Sequence, residues 1–453
     1  VTTVAVVGGG IAGLVAAYRL RRRLGASADI VVIESSGRVG GKLRTVDLAG
    51  GPVDVGAEAF IARRPEVRDL VDELGLSEQL VHPAGASPLI WSQGGPVPMP
   101  RHTLMGIPAD GESLVGLVDD ATLARIAREE TEPLDWVPGS DRSVADLVGS
   151  RFGDQVVARS VDPLLGGVYS GLSDSIGVRA ALPTLAVALD GGARSLTAAV
   201  RQALPAPSST PVFGTLRDGY GVLLEELVAA TGARLVTDEA GRVRRDGGGW
   251  SVEPVGHVDG VVLAVPARQL ATLLDDVAPE AAAAAAAIPL ASSVVVALAL
   301  PADARVPDNS GILVATDSPL GPGATAKAFT LSSRKWPHLA RRDVTLVRAS
   351  YGRFGDSAVV DDSDEALVAS AIRDFAVVSG TRPEPVASFV QRWHEGLPQY
   401  GPGHDEKVGA VEAAVAELDG LEVAGAWMHG VGVPACVASA TTATTRLLAQ
   451  VAR

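Results

Sequence analysis

The sequence holds a single cysteine, Cys436, among 453 residues. That excludes an internal disulfide and a cysteine-rich metal centre, and it suits a reducing, cytoplasmic setting. Aromatic residues reach only 4%, too few to suggest a cage of rings around a cationic amine. The seven histidines (His82, His102, His257, His338, His394, His404, His429) are scattered, with no pair at the spacing of helical ligands, so no metal is expected. Positive charge is short too. A net charge of -14 argues against nucleic acid or an anionic membrane as the main partner. An anionic substrate must then meet locally placed cations, and with only four lysines (Lys42, Lys327, Lys335, Lys407) these are mostly arginines. One uncharged run calls for a membrane test, Ala281 to Ala302. Pro289, Ser292 and Ser293 interrupt that run, so a poly-Ala helix ending near Ile288 and a buried strand from Ser293 to Leu300 are expected in place of a membrane span. With the first strand starting almost at residue 1, no signal peptide is expected.

What the chain has is length and apolar residues. It is too long for one compact core, so two or three structural units are expected, and 47% hydrophobic against 20% charged residues describes a globular chain. Residues 3–7 form an apolar run ending in Gly8. Ala12 to Leu24 keeps helical spacing, with Arg19, Arg21, Arg22 and Arg23 near the end where they suit the helix dipole. Ile30 to Ile33 reads as the next buried strand, which makes the start of a parallel βαβ unit.

Between about Leu104 and Leu204 strand signals fade. ESLVGLVDDATLARIAREE predicts an amphipathic helix, and PLDWVPGSD breaks the pattern, so a separate helical lobe is expected. The βα character returns at TLRDGYGVLLEELVAATGARLVTDEAGRVRRDGGGWSVEPV and runs into GVVLAVP. From about 290 to 395, strands such as SSVVVALAL and DVTLVRASYG alternate with helices such as DEALVASAIRDFAVV, which suits a mixed sheet. The last fifty residues give a helix, a strand, a Gly-rich turn and a final helix, a return to the first unit.

In VVGGGIAGL, Gly8, Gly10 and Gly13 satisfy G-x-G-x-x-G at a strand-to-helix turn. The first allows the tight turn, the second lets backbone approach a pyrophosphate, and the third lets helix and strand pack closely. Free amides at the helix N-terminus then hold the diphosphate. Glu34 ends the second strand where a carboxylate accepts hydrogen bonds from an adenosine ribose and repels the 2′-phosphate of NADP. These features identify ADP, which NAD and FAD share. The stretch that follows, GRVGGKLRT, brings flexible backbone and the cations Arg38, Lys42 and Arg44 back toward the same diphosphate through Gly40 and Gly41, and VDVGAE follows. A plain NAD domain needs no such second loop.

On these residues the sequence resembles the flavin amine oxidase and protoporphyrinogen oxidase superfamily, in which an FAD-binding N-terminus continues with such a GG loop. VDVGAEAFIARRPEVRDLVDELGL, PMPRHTLMGIP, DPLLGGVYSGLSDSIGVRAALP and AGAWMHGVGVPACVASA narrow the resemblance to the porphyrinogen oxidases of heme synthesis, of the bacterial coproporphyrinogen III oxidase type. The likeness extends over the whole chain. It implies a fold of α/β and α+β class: a Rossmann-like FAD-binding domain from 1–82, 206–280 and 406–453, a mixed-sheet substrate domain from 83–99 and 281–405, and a helical lobe from 100–205 that corresponds to the membrane-binding lobe of relatives. It implies noncovalent FAD held by Gly8, Gly10, Gly13, Glu34, Arg38, Gly40, Gly41, Lys42, Gly56, Ala57, Glu58, Val243, Gly432 and Val433. Gly167, Tyr169 and Ser170 of GVYSG would form the wall against which a tetrapyrrole lies, and the turn Gly430–Pro434 would close on the flavin. Ala435 departs from the acid expected after Pro434.

The activity so implied is removal of six electrons and six protons from coproporphyrinogen III, with molecular oxygen consumed and hydrogen peroxide released. The chemistry belongs to the flavin, so no catalytic side chain is assigned. Protoporphyrinogen IX as substrate, a flavin amine oxidase or carotenoid desaturase, and a redox-inactive flavin-binding partner protein stand as alternatives. A downstream enzyme of heme synthesis is a possible partner. Arg63 and Arg64 are candidate grips for the substrate's carboxylates. Arg64 precedes Pro65, so extended backbone should turn the two to opposite sides and only one toward the pocket. Cys436, His394, His404 and Tyr400 read better as packing or loop residues than as a flavin tether or proton shuttle.

Overall fold

The computed structural model describes residues 2–206 and 208–451. Five parallel strands form one sheet in the order Arg234–Val236, Asp29–Ile33, Thr3–Val7, Gly260–Leu263 and Leu421–Val423. Its strands are apolar almost throughout because both faces are covered, as parallel sheets require. Val4, Val6, Ile30 and Val32 face the helices Ile11–Leu24, Tyr220–Thr231 and Val433–Val451. Ala5, Val7, Val31 and Ile33 face the other way. There they meet a three-stranded meander (Val243–Asp246, Gly249–Val252, Gly256–Val258) and the helices Ala267–Leu274, Pro279–Ala286 and His404–Ala416.

A second sheet has seven strands: Ala387–Pro398, Leu290–Pro301, Val344–Tyr351, Ala328–Thr330, Gly311–Val314, Leu89–Ser92 and Gly95–Pro98. It is mixed, since Gly311–Val314 runs parallel to Leu89–Ser92 while the other pairs are antiparallel. Val294, Val296, Leu298, Ala349 and Tyr351 pack on Phe375 of the helix Asp364–Ser379. Ala297, Ala299 and Leu346 point oppositely, against Leu48, Val53 and Val55 of the first unit. The uncharged run resolves into the helix Pro279–Ala286 and the strand Leu290–Pro301, which starts earlier than expected.

Between residues 120 and 203 the chain is helical, around a core of its own that includes Leu114, Leu147, Phe152, Leu165 and Leu196. One expectation needs correction here. ESLVGLVDDATLARIAREE is not one helix: Glu112–Leu114 is a single 3-10 turn and the α-helix is confined to Asp120–Arg128. Gly116 has φ 84°, outside the right-handed helix, and the Asp119 carboxylate accepts the Thr122 amide at 2.8 Å as an N-cap. Among the described residues no helix is long and apolar enough to cross a membrane.

Candidate cofactor and substrate site

The two glycine loops interlock. Gly40 N–H donates to Gly9 O at 2.7 Å, Gly10 and Gly40 pair as an isolated parallel bridge, and a Cβ on Gly41 would lie 3.1 Å from Gly10 Cα. Only bare backbone permits that approach. Gly13 is bare for another reason: a Cβ there would stand 1.8 Å from Gly8 O, so helix and strand could not close on each other. Glu34 anchors the assembly from the neighbouring strand. Its carboxylate accepts from Gly9 N–H at 2.7 Å and Ser36 N–H at 2.8 Å, while its own N–H donates to Val236 O.

Arg38 ties the second loop to itself, donating to Gly41 O at 2.7 Å and to Val39 O and Leu43 O at 3.3 Å, with its guanidinium 5.8 Å from the Trp393 ring. Burial first, then the charge of Arg44, lowers its pKa against the pull of Glu34. Lys42 is exposed at the surface, and desolvation by the protein around it lowers its pKa, opposed by Cys436 and Glu34. A cationic side chain beside a backbone cradle at a helix N-terminus fits a diphosphate.

Gly56, Ala57 and Glu58 continue the same surface. Lys42 O accepts the Ala57 amide at 3.3 Å, and Gly56 O accepts from Arg348 Nη2 at 2.8 Å. Glu58 receives Ser332 Oγ at 2.7 Å and Lys335 Nζ at 2.8 Å, with Arg348 at 3.5 Å. Burial pushes its pKa up, but Lys335 and Arg348 outweigh this and hold it down at about 2. Val243 lies in the meander, 1% exposed, in one core with Val7 and Ile33, the residues that precede the first glycine turn and Glu34. Gly432 is exposed just ahead of buried Val433, where the last helix begins. Cys436, one turn in, is 6% exposed, and burial pushes its thiol up to about 11.

The helix Asp162–Tyr169 follows a π-helical turn, Val157–Val161. Its Gly167 and Val168 are exposed, and nothing stands within 4 Å of a Cβ at Gly167. Tyr169 is 6% exposed and belongs to the lobe's core, its ring 5.5 Å from that of Tyr400. Tyr400 Oη in turn donates to Ala426 O at 2.6 Å and accepts Gly430 N–H at 2.8 Å. His404 stacks on Tyr400 at 3.9 Å. This aromatic stack therefore links the open wall to the turn before Gly432. Ser170, at φ 55°, is buried.

Arg63 and Arg64 are both exposed. Arg64 is extended as expected, at φ -87° and ψ 132°, and pairs with Glu66. Arg63 Nε donates to Thr210 O at 3.2 Å and forms no ion pair among the described residues. Both guanidiniums are open to solvent. Cations that reach the interior on or beside strands of the seven-stranded sheet are Lys327, Lys335, Arg348 and Arg353. Sequence reasoning missed them because decisive partners are remote in sequence: Lys327 meets Ser170 157 positions away, Lys335 meets Glu58 277 away and Arg348 meets Gly56 292 away; a lysine inside an apolar run, as at ATAKAFT, was the available signal.

This geometry, a doubly looped dinucleotide cradle on a parallel sheet with a mixed sheet beside it, defines a flavin-dependent oxidoreductase. The family of flavin containing amine oxidoreductases matches residues 11–448, and the chain belongs to it. Within it the chain falls in the porphyrinogen oxidase branch: it is 52% identical over 459 residues to the coproporphyrinogen III oxidase of Mycobacterium tuberculosis, covering 99% of this chain and 98% of that one. The Bacillus subtilis protein of the same name is 29% identical over 96% of this chain and 95% of its own. Among solved structures, an Exiguobacterium protein provisionally assigned as a protoporphyrinogen oxidase superposes with a TM-score of 0.85 at 29% identity, covering 98% of both chains. A putrescine oxidase at 17% identity and a TM-score of 0.70 shares the fold.

Proposed function

We propose that the protein oxidises coproporphyrinogen III to coproporphyrin III with noncovalently bound FAD, using oxygen and releasing hydrogen peroxide. The observation that carries this reading is the full-length 52% identity to proteins of that name. The site's geometry supports it. FAD, when bound, supplies a two-electron acceptor that oxygen regenerates. Gly10 and Gly41 offer bare backbone to the diphosphate, Lys42 its charge, and Glu34 a carboxylate to the ribose. Gly56, Ala57, Glu58, Val243, Gly432 and Val433 line the remainder. The open helix face at Gly167 and Val168 offers a flat apolar bed to a macrocycle. Tyr169 and Ser170 support that bed from behind.

Of the two surface arginines, Arg63 is free to meet a carboxylate, since Arg64 is already paired. A cytoplasmic setting agrees with one buried cysteine, and an enzyme acting on the porphyrin product would be the natural partner. The test is turnover of coproporphyrinogen III and protoporphyrinogen IX by purified protein, with and without oxygen, followed by porphyrin fluorescence. Oxygen-dependent formation of coproporphyrin at the higher kcat/KM is the expected outcome. Flavin-loaded protein that turns over neither compound would overturn the reading.

A further inference from the structure

Lys327 is a buried ammonium without an acid to answer it. It stands just before the strand Ala328–Thr330, 8% exposed, and its Nζ donates to Gly352 O at 2.6 Å and to Ser170 Oγ. Arg353, the residue after Gly352, is half-buried. It forms no ion pair among the described residues, and its buried Nε has no partner. The two cations are close enough that Arg353, after burial itself, helps hold the Lys327 pKa down at about 7.

Two carboxylates act on Arg353 from a distance, Asp162 and Asp356. Asp162 is committed elsewhere: its Oδ1 accepts Ser173 N–H at 2.9 Å and Ser173 Oγ at 2.6 Å, and its Oδ2 accepts Thr316 Oγ1 at 3.1 Å. Asp356 is exposed and meets Arg353 through backbone alone, in paired bonds of 2.9 and 3.0 Å. The C-terminus of the helix Asp162–Tyr169 lies alongside, but a helix end offers only about half an elementary negative charge, less than the Arg353 guanidinium alone carries. An interior charge left unbalanced is costly.

The placement tells what would balance it. Ser170 ends the wall helix and is fixed to the same loop, its carbonyl accepting Phe354 N–H at 2.7 Å. One turn back, Gly167 and Val168 are open. We propose that Lys327 and Arg353 form an anion subsite that takes one side-chain carboxylate of a tetrapyrrole lying along Gly167 and Val168. The planar guanidinium can grip both carboxylate oxygens, and Lys327 has one N–H uncommitted beside it. This rests on the porphyrinogen reading above, and it places recognition inside the fold, apart from the surface residues Arg63 and Arg64.

The experiment compares wild type with Arg353→Gln and Lys327→Met, measuring KM for coproporphyrinogen III and fluorescence-quench Kd for coproporphyrin III and for its tetramethyl ester. Each substitution should raise KM and the free-acid Kd by about tenfold or more, as expected for a lost charged hydrogen bond. The ester Kd and the flavin spectrum should stay put, and Arg353→Lys should recover part of the loss. Equal losses for acid and ester, or no change in either, would overturn the subsite and leave the cations as caps of the helix. Should Lys327→Met not fold, Arg353→Gln decides alone, since that position is half-exposed. A wild type that turns over no porphyrinogen would strike the functional reading instead.

Discussion

Glu58 and Lys335 meet at 2.8 Å across 277 positions of sequence, joining the turn after the strand Pro52–Asp54 to the short helix Ser332–Lys335. With Arg348 at 3.5 Å on the other oxygen, the carboxylate is ionised far below its ordinary range, at about 2. A depressed folded-state pKa contributes stability above the unfolded value of 4.5, and that stability is lost as pH falls from there through about 2. Lys335→Met should therefore lower stability by about 1–3 kcal/mol at neutral pH, Arg348 retaining part of the interaction. The deficit relative to wild type should shrink below pH 4. Thermal melts at pH 7 and pH 3.5 measure both; an equal deficit at the two values would show that packing alone is responsible.

Gly10 and Gly13 should separate cofactor binding from folding. Gly10 has φ -71° and ψ 177°, and a Cβ there meets only Gly41 Cα at 3.8 Å, so the protein itself tolerates a side chain. Gly13 does not, with Gly8 O 1.8 Å away. Gly10→Val is expected to purify folded and colourless, with unchanged far-ultraviolet circular dichroism, whereas Gly13→Val should be insoluble. Yellow Gly10→Val protein with a full complement of FAD would show that the diphosphate does not approach there.

Asp54 makes the opposite pH signature to Glu58. Burial drives its carboxyl up to about 7, although Thr45 Oγ1 at 2.5 Å, the Tyr220 amide at 3.1 Å and the more distant Arg348 favour the ion; Glu58 adds to the upward push. A raised folded-state pKa means stability that is present below the unfolded value of 3.8 and lost as pH rises through about 7. Asp54→Asn should flatten the decline between pH 5 and pH 8 seen in urea midpoints of the wild type. Parallel curves for the two proteins would assign the decline to another group.

Tyr400→Phe removes the hydroxyl shared by Ala426 O and Gly430 N–H and leaves the ring stack intact. Two partly buried backbone groups then lose their partner, at about 1–3 kcal/mol. Because they belong to the turn before Gly432, FAD should dissociate faster and the melt should be more sensitive to added FAD than in wild type. An unchanged FAD Kd would show that the turn holds its shape without the tyrosine.

What could be read from sequence was what is local. The glycine spacing, the acid at the end of the second strand and the GG loop occupy 34 consecutive positions, and each residue's role follows from its neighbours. Gly40 meeting Gly9 is the simplest instance. The helix written into ESLVGLVDDATLARIAREE failed because one glycine at positive φ and one N-cap aspartate overrode an apolar period. The interior cations were illegible for a different reason. Lys327 touches Ser170 and Gly352 only once two sheets and a helical lobe have closed, and the apolar run around it hints at burial without naming those partners.

The five-stranded sheet also sets a clock on synthesis. Its fourth and fifth strands, Gly260–Leu263 and Leu421–Val423, pair directly, yet the ribosome needs about 10 to 30 seconds to add the roughly 160 residues between them. Through that interval the apolar edge at Val261 and Val262 is bare and the helix Ile11–Leu24 behind the glycine loops lacks the helix Val433–Val451 that packs against it. Such an edge invites pairing with other nascent chains. The yield of yellow protein should thus be governed by chaperone supply and growth temperature during expression more than by the FAD content of the cell.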